Sequence, residues 1–320
     1  MEFLPSVPSL GFTPNFLSYV NSWHKHLPFG YDMVSYIKPK LIVELGVHYG
    51  DSYFTFCQAV KEHSIRCKCF GIDTWVGDSQ CGLYEPEVFQ KVKNYNVEHY
   101  KEFSTLIQGT FSDCNNQFSD SSIDLLHIDG FHTYEAVKED FTLWLPKVSP
   151  KGIILIHDIA EYRDDFGAWK LWKEIKDNYP SYSFTHGHGL GVIQNINNSQ
   201  NINSSHDGFD QFLPYSLYYE ARGEMISLQK ENKNHNKNNK ILEQSIIAKD
   251  KSIEVLKIDL SDKYKSFERL ETENSNTVDL LKTDLDDKNI LIEELKTDFK
   301  EIEDQDLQNE HLLHSKTHEN

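Results

Sequence analysis

At 320 residues the chain is long for one domain and short for three, and a hydrophobic fraction of 38% is too low for a core running its full length. The deficit sits at the back: all five Trp and all five Cys lie before residue 175, and residues from about 215 onward are rich in Lys, Glu, Asp and Asn. A net charge of −18 with no basic run excludes a phosphate-tracking nucleic-acid surface.

In chain order, residues 1–30 form an N-terminal segment. Its opening, "MEFLPSVPSLGF", lacks a basic region followed by a long apolar one, and no stretch of the chain reaches membrane-spanning length, which predicts a cytoplasmic protein without a transmembrane segment. Cys57, Cys67, Cys69, Cys81 and Cys114 show neither a C-x-x-C pair nor a framework spacing and read as reduced thiols. From residue 31 to 195, short β-branched runs alternate with helical patterns: "KLIVELG" (40–46), "CKCFGID" (67–73), "STLIQG" (104–109), "IDLLHID" (123–129) and "GIILIHD" (152–158). This alternation predicts an α/β domain with a Rossmann-like, doubly wound, mostly parallel sheet, and "YSFTHG" with "LGVIQ" predicts a closing β-hairpin. Between the strands, "DSYFTFCQAVKEH" (51–63) places Phe54, Cys57 and Val60 on one helical face with Asp51 or Ser52 as its cap, and Val137, Phe141 and Leu145 repeat the pattern. Pro150-Lys151-Gly152 is expected to halt the chain before the fifth strand. The long loop within residues 70–92 has the length of a functional loop.

Residues 196–240 read as an Asn/Ser/Lys-rich linker with room for a short helix. Over 241–313, Ile246, Ile253, Leu260, Phe267, Asn274, Leu281, Lys288, Leu295 and Ile302 recur every seven residues, with Leu256, Leu270 and Leu291 in a second column. That spacing predicts a coiled coil with Asn274 as its polar register residue, hence a homo-oligomer; a single charged, solvated helix is the plainer alternative.

Strands of a parallel sheet end on one edge, and ligands bind in the crevice there. The first strand ends in Glu44, Gly46, His48 and Gly50, the second in Asp73-Thr74-Trp75, the third in Gly109-Thr110-Phe111, the fourth in Asp129, and the fifth in His157-Asp158. Polar chemistry therefore collects at one edge. An acid after the second strand suits a ribose diol. His48 stands where a pyrophosphate would need bare backbone, and G-x-G-x-x-G is missing, which argues against a nicotinamide-dependent oxidoreductase. A non-catalytic scaffold is the other alternative, and intact polar strand ends speak against it. Gly130 keeps His132 just past the fourth strand, making Asp129 and His132 candidate general bases, with imidazole the better match near neutral pH. His186 and His188 reach the same edge if "YSFTH" runs parallel to its neighbours. Arg163, Asp164, Asp165 and Trp169 stand where a substrate wall would be, and their acidic and aromatic character suits a sugar.

"VELGVHYGDSYFTFCQAV", "GIDTWVGD", "LLHIDGFHTYEAVKEDFTLWLPKVSPKGIILIHD" and "HGHGLGVI" resemble the class I S-adenosylmethionine-dependent methyltransferases, in particular a subgroup with an H-I-D-G-x-H-x-Y-E motif whose members are often associated with glycosyltransferases. The resemblance covers roughly residues 30–195. It implies methylation of a hydroxyl on a sugar, glycan or small molecule. It further implies that Glu44, Gly46, His48 and Gly50 surround the methionine part of the cofactor, Asp73 holds the ribose, and Trp75, Thr110 and Phe111 lie around the adenine. By the same resemblance Asp129 and Asp158 match positions that hold a divalent cation in related enzymes, and their oxygen ligands suit Mg²⁺; His157 is an unusual third ligand for it and points as easily to Mn²⁺, to Zn²⁺ or to no metal. A hydrogen-bonded His-Asp pair without a metal is the alternative.

Overall fold

Alternating apolar runs and helical stretches become a doubly wound sheet in the computed structural model, which describes residues 9, 11–80, 82–196, 215–271 and 275–317. In chain order these form α1 (Leu27–Ile37), β1 (Leu41–Leu45), α2 (Asp51–Glu62) and β2 (Lys68–Asp73), then a small flap of β3 (Gly77–Asp78) and β4 (Gly82–Leu83). There follow α3 (Pro86–His99), β5 (Ser104–Gln108), α4 (Phe111–Asn115), β6 (Ile123–Ile128), α5 (Tyr134–Trp144), β7 (Val148–His157), α6 (Ala168–Ile175), β8 (Ser181–Phe184) and β9 (Leu190–Gln194). Two long helices, α7 (Ser216–Glu271) and α8 (Ser275–Thr317), complete the chain. The fold divides into two units, Met1–Ser227 and Leu228–Asn320.

The main sheet has the order β5-β2-β1-β6-β7-β9-β8. Its first five strands are parallel; β9 is antiparallel to both β7 and β8. Strand order reverses between β1 and β6, which places the expected crevice outside their carboxyl ends. Successive residues of each strand feed opposite layers. Ile42, Leu125 and Leu155 join one core with α1, α2 and the N-terminal segment; Val43, Leu126 and Ile156 join the other with α5 and α6. Because β8 runs parallel to β7, the turn after it lies at the crevice, as the conditional expectation for His186 and His188 required.

Three local expectations change. Helix α2 has no side-chain cap: its first residue follows Gly50, Asp51 instead accepts the Ser18 backbone N–H (2.7 Å), and Ser52 Oγ donates to Glu44 Oε1 (2.7 Å). Every α2 residue from Asp51 to Val60 is buried, not one face only, since Phe12 and Trp23 of the N-terminal segment pack into the same core. The boundary drawn at residue 30 is therefore not one of packing. Strand β7 begins at Val148, ahead of Pro150-Lys151-Gly152; a register shift against β6 and a left-handed Lys151 take up the additional residues.

Helix α7 starts at Ser216, so the polar stretch 229–240 is helical rather than linker; residues 197–214 lie outside the described residues. Its first turns belong to the Met1–Ser227 unit, where Tyr219 is fully buried and donates to Asp32 Oδ2 (3.1 Å), and Arg222 donates to Phe12 O (2.9 Å). In the second unit, ion pairs Lys249–Asp298 (2.9 Å), Lys288–Asp259 (3.1 Å) and Lys263–Asp284 (3.1 Å) run in opposite senses along α7 and α8, so the two helices are antiparallel. Ile253, Leu285 and Ile292 are buried between them, whereas Leu291 of the expected second column is exposed. Among the described residues of the expected seven-residue column only Ile253 is buried, while Ile246, Leu260, Leu295 and Ile302 are half-buried; Leu285 and Ile292 belong to neither expected column. Asn274 and the side chains of Phe267, Leu270 and Leu281 lie outside the described residues.

Candidate active site at the strand ends

A cavity of about 360 Å³ opens at the carboxyl ends of β1, β2, β6 and β7, within the usual range for small-ligand pockets. Gly46, His48, Asp73, Phe111, Asp129, His132, His157, Asp158 and His188 line it, and so does Arg163. Gly46 follows β1 with φ +90°, and a Cβ there would stand 2.0 Å from Asp129 O, so the backbones after β1 and β6 meet at van der Waals limits. Beside it, Asp73 bridges two turns: Oδ2 accepts the His48 N–H (2.8 Å) and Oδ1 the Trp75 N–H (2.7 Å). Burial raises the Asp73 pKa despite these donors. His48 stacks face to face on Tyr84 (4.8 Å, 9°), and burial lowers its pKa. His48, Trp75, Asp158 and His188 all adopt left-handed backbone; strain of this kind gathers at functional sites.

Deeper in, four side chains converge. His132 Nε2 is 3.1 Å from Asp129 Oδ1 and 2.9 Å from Asp158 Oδ2; His157 Nδ1 is 3.1 Å from Asp129 Oδ1 and 3.4 Å from Asp158 Oδ1. One donor atom from each lies within 4.8 Å of the others. Burial opposes charge on all four, yet mutual attraction prevails. The two carboxylates raise His132 to about 9 and hold His157 well above the usual imidazole range; the imidazoles hold Asp129 and Asp158 well below the carboxylate range. At neutral pH His132 is an imidazolium, which corrects the expectation of a free base poised near neutrality. The outer nitrogens are anchored too: His157 Nε2 on Gly187 O (3.2 Å) and His132 Nδ1 on Gln80 Oε1 (3.3 Å). Two carboxylates, with two imidazoles whose outer N–H groups are tied to carbonyl oxygens, form a donor set that fits a divalent cation.

Four residues expected around the cofactor do not line the cavity. Glu44 is fully buried in the α2-side layer, its Oε2 3.3 Å from His127 Nδ1, because it sits opposite His127 in the β1–β6 register; burial raises its pKa. Gly50 ends the turn before α2. Trp75 is tucked beneath the crevice, donating to His48 O (3.0 Å) and packing on Phe89. Thr110 caps α4 through the Asp113 N–H (3.2 Å). His186 stacks on His26 instead of facing the cavity, and Asp164 and Trp169 stand outside it.

Other wall residues went unforeseen. Val20 and Ser22 come from the N-terminal segment, Gln80 and Tyr84 from the flap region, and Glu161 and Phe166 from the loop after β7. Glu161 gathers that loop: it accepts from Arg163 Nε and Nη2 (2.9 and 2.7 Å) and from His188 Nδ1 (2.8 Å), and the Arg163 guanidinium holds its carboxyl down at about 2.

These features stand together over one stretch of chain. Residues 43–159 match the methyltransferase domain family. The methyltransferase domain match contains Gly46, Asp73, Asp129, His132, His157 and Asp158; Val20, Ser22, Glu161, Arg163 and His188 complete the cavity from outside it. A 180-residue stretch is 43% identical to "Uncharacterized protein y4gI" of Sinorhizobium fredii, covering 56% of this chain and 20% of that protein. The chain thus spans about a fifth of the length of the curated relative it matches. Among solved structures, the O-methyltransferase TomG from Streptomyces achromogenes, in complex with SAM, aligns with TM-score 0.42 and 14% identity, covering 57% of this chain and 82% of that one. The SAH-bound methyltransferase of Podospora anserina aligns with TM-score 0.42 and 14% identity, covering 54% and 78%. No helix among the described residues is long and apolar enough to cross a membrane.

Asp140 of α5 supports the loop after β6 from below, its carboxylate 3.4 Å from where a Cβ on Gly130 would lie. Burial, with Glu139 next to it, raises its pKa from 3.8 to about 7. The folded state therefore binds this proton more tightly than the unfolded chain, and stability falls as pH rises from about 4 to about 7. Asp140→Asn should remove that loss, adding on the order of 2–4 kcal/mol at pH 8 and little below pH 4, as read by urea unfolding at both pH values.

Proposed function

We propose that the domain transfers the methyl group of S-adenosylmethionine to a hydroxyl of a sugar or other small molecule. The observation that carries this reading is the single cavity in which the Gly46 turn and Asp73 adjoin the Asp129–His132–His157–Asp158 cluster. The Gly46 turn supplies close backbone approach for the methionine part, and Asp73 retains acceptor capacity for ribose hydroxyls beside its two backbone bonds. Phe111 offers an apolar face for the adenine. On the other side, carboxylates and the rings of Phe131 and Phe166 suit a polyol with one apolar face.

The acceptor oxygen attacks the methyl carbon, the carbon–sulfur bond breaks, and sulfur keeps the electron pair as a neutral thioether. Alignment supplies most of the rate in such a displacement. Asp129 accepts the hydrogen bond of the incoming hydroxyl and orients it, and the hydroxyl proton is released to bulk water at the mouth of the cavity, since His132 is already protonated. A divalent cation held by Asp129, His132, His157 and Asp158 would lower the pKa of a bound hydroxyl and fix a neighbouring one.

Calorimetric titration of the full chain with S-adenosylhomocysteine, and in parallel with NAD, tests the cofactor. Binding of the first alone is expected, with Asp73→Asn weakening it by about 10- to 100-fold as a charged ribose partner is lost. Absence of binding in the wild-type protein, or preference for NAD, would overturn the reading.

A further inference from the structure

The flap between β2 and α3 is not used by the reaction as drawn, yet one of its side chains reaches across the cavity. Gln80 Oε1 accepts from the His132 backbone N–H (3.0 Å) and lies 3.3 Å from His132 Nδ1, while Gln80 Nε2 donates to Asp165 Oδ1 (2.7 Å). Resting on the proposed methyl-transfer reading, we infer that Gln80 is a positioning residue: its amide locks the His132 ring so that Nε2 faces the Asp129–Asp158 carboxylates and whatever cation or hydroxyl they receive.

The amide has one workable orientation. Its oxygen meets two N–H groups and its nitrogen meets a carboxylate; turning it over would set N–H against N–H and oxygen against oxygen. With the proton of Nδ1 committed to Gln80, Nε2 is the nitrogen left to serve the cluster. His157 follows the same plan, with its outer Nε2 on Gly187 O (3.2 Å) and its inner Nδ1 on Asp129 (3.1 Å). Two rings, one at the end of β7 and one in the loop after β6, thus carry equivalent outer anchors, one a main-chain carbonyl and the other a side-chain amide. Such outer partners set which nitrogen is available and fix the ring plane.

The flap is shaped to deliver that amide. Asp78 Oδ1 accepts the Gln80 N–H (2.7 Å), an Asx turn that points the residue inward. Gly77, at φ +83°, lies so close to the opposite strand that a Cβ would stand 2.0 Å from Gly82 O. At the flap's base Tyr84 is stacked on His48, so the element runs from the cofactor side of the cavity to the acceptor side. His132 is also stacked on Phe166 (5.2 Å, 12°), on the loop that carries Asp165. Gln80 is therefore the one flap side chain, among the described residues, bonded to both acceptor-side loops.

The test uses the full chain, labelled with ¹⁵N-histidine, as wild type, Gln80→Leu and Gln80→Glu. In wild type the His132 Nδ1–H is expected as a slowly exchanging resonance. Gln80→Leu should lose it or speed its exchange at least tenfold, and Gln80→Glu, which keeps the accepting oxygen, should restore it. Mn²⁺ affinity, read by electron paramagnetic resonance, should fall about 10- to 100-fold in Gln80→Leu, with S-adenosylhomocysteine affinity unchanged. A protected His132 Nδ1–H in Gln80→Leu, or equal Mn²⁺ affinity in Gln80→Leu and wild type, would overturn the inference. Failure of the wild type to bind S-adenosylhomocysteine would instead strike the methyl-transfer reading, and the ring resonance would still decide the role of Gln80.

Discussion

Gly46→Ala should be among the most damaging single substitutions in the chain. The new methyl group would sit 2.0 Å from Asp129 O and 2.5 Å from Asp129 C, on a residue with φ +90°. Left-handed strain alone costs about 1–3 kcal/mol for a non-glycine residue. The overlap is with main chain, not with a side chain that could swing aside. Relief would require β1 and β6 to part where Asp129 N donates to Leu45 O (2.8 Å), on a turn that Gly46 N also ties to Ile72 O of β2 (2.9 Å). A total loss of about 3–5 kcal/mol is expected, a large fraction of a domain's stability. Urea unfolding measures it, and S-adenosylhomocysteine binding should fall at least about 100-fold, since ~2.7 kcal/mol of misplaced contact suffices. Wild-type unfolding and binding in Gly46→Ala would show that the two strand ends are not in contact.

Asp129→Asn should be the most severe change to turnover that leaves the fold recognisable. Asp129 Oδ1 is shared by His132 Nε2 and His157 Nδ1 at 3.1 Å each, and its charge, together with that of Asp158, raises the pKa of both imidazoles against burial. An amide supplies one oxygen and no charge. Turnover of any hydroxyl acceptor methylated by the wild type should drop by about 10²–10⁴-fold, the range for losing a positioned acid–base group. Affinity for S-adenosylhomocysteine should stay within about threefold, because Asp73 and the Gly46 turn are untouched. Equal turnover in Asp129→Asn would remove the cluster from the reaction; a parallel loss of cofactor affinity would place Asp129 on the cofactor side.

Much of this site is legible from strand ends. Gly46, Asp73, Asp129 and His157-Asp158 each follow an apolar run directly, and a parallel sheet leaves no other place for them than one edge. Glu44 shows the limit of that argument. It lies two residues before Gly46 and belongs to the strand proper, so the pleat aims it at the layer under α2, where only the pairing with His127 explains an acid. Thr110 and Trp75 were misplaced for a local reason, since capping and a ring N–H bond to His48 O satisfy them outside the cavity. Gln80 acts on a residue 52 positions away. Its only trace in the sequence is the Asp and Gly residues around it, which mark a tight flap without saying what it reaches. The tail pattern was visible as period, but it did not pick out the contact between α7 and α8: Leu285 and Ile292, buried there, belong to neither expected column.

The buried state of α2 has a practical meaning for anyone trimming this protein. Tyr53, Phe56 and Ala59, fully enclosed, share a core with Phe12, Trp23, Leu27 and Phe29. Shortened forms that begin at residue 31 would uncover a greasy strip and, with Val20 and Ser22 gone, unroof the acceptor chamber as well. Such forms would be expected to clump and to lose part of the cavity wall.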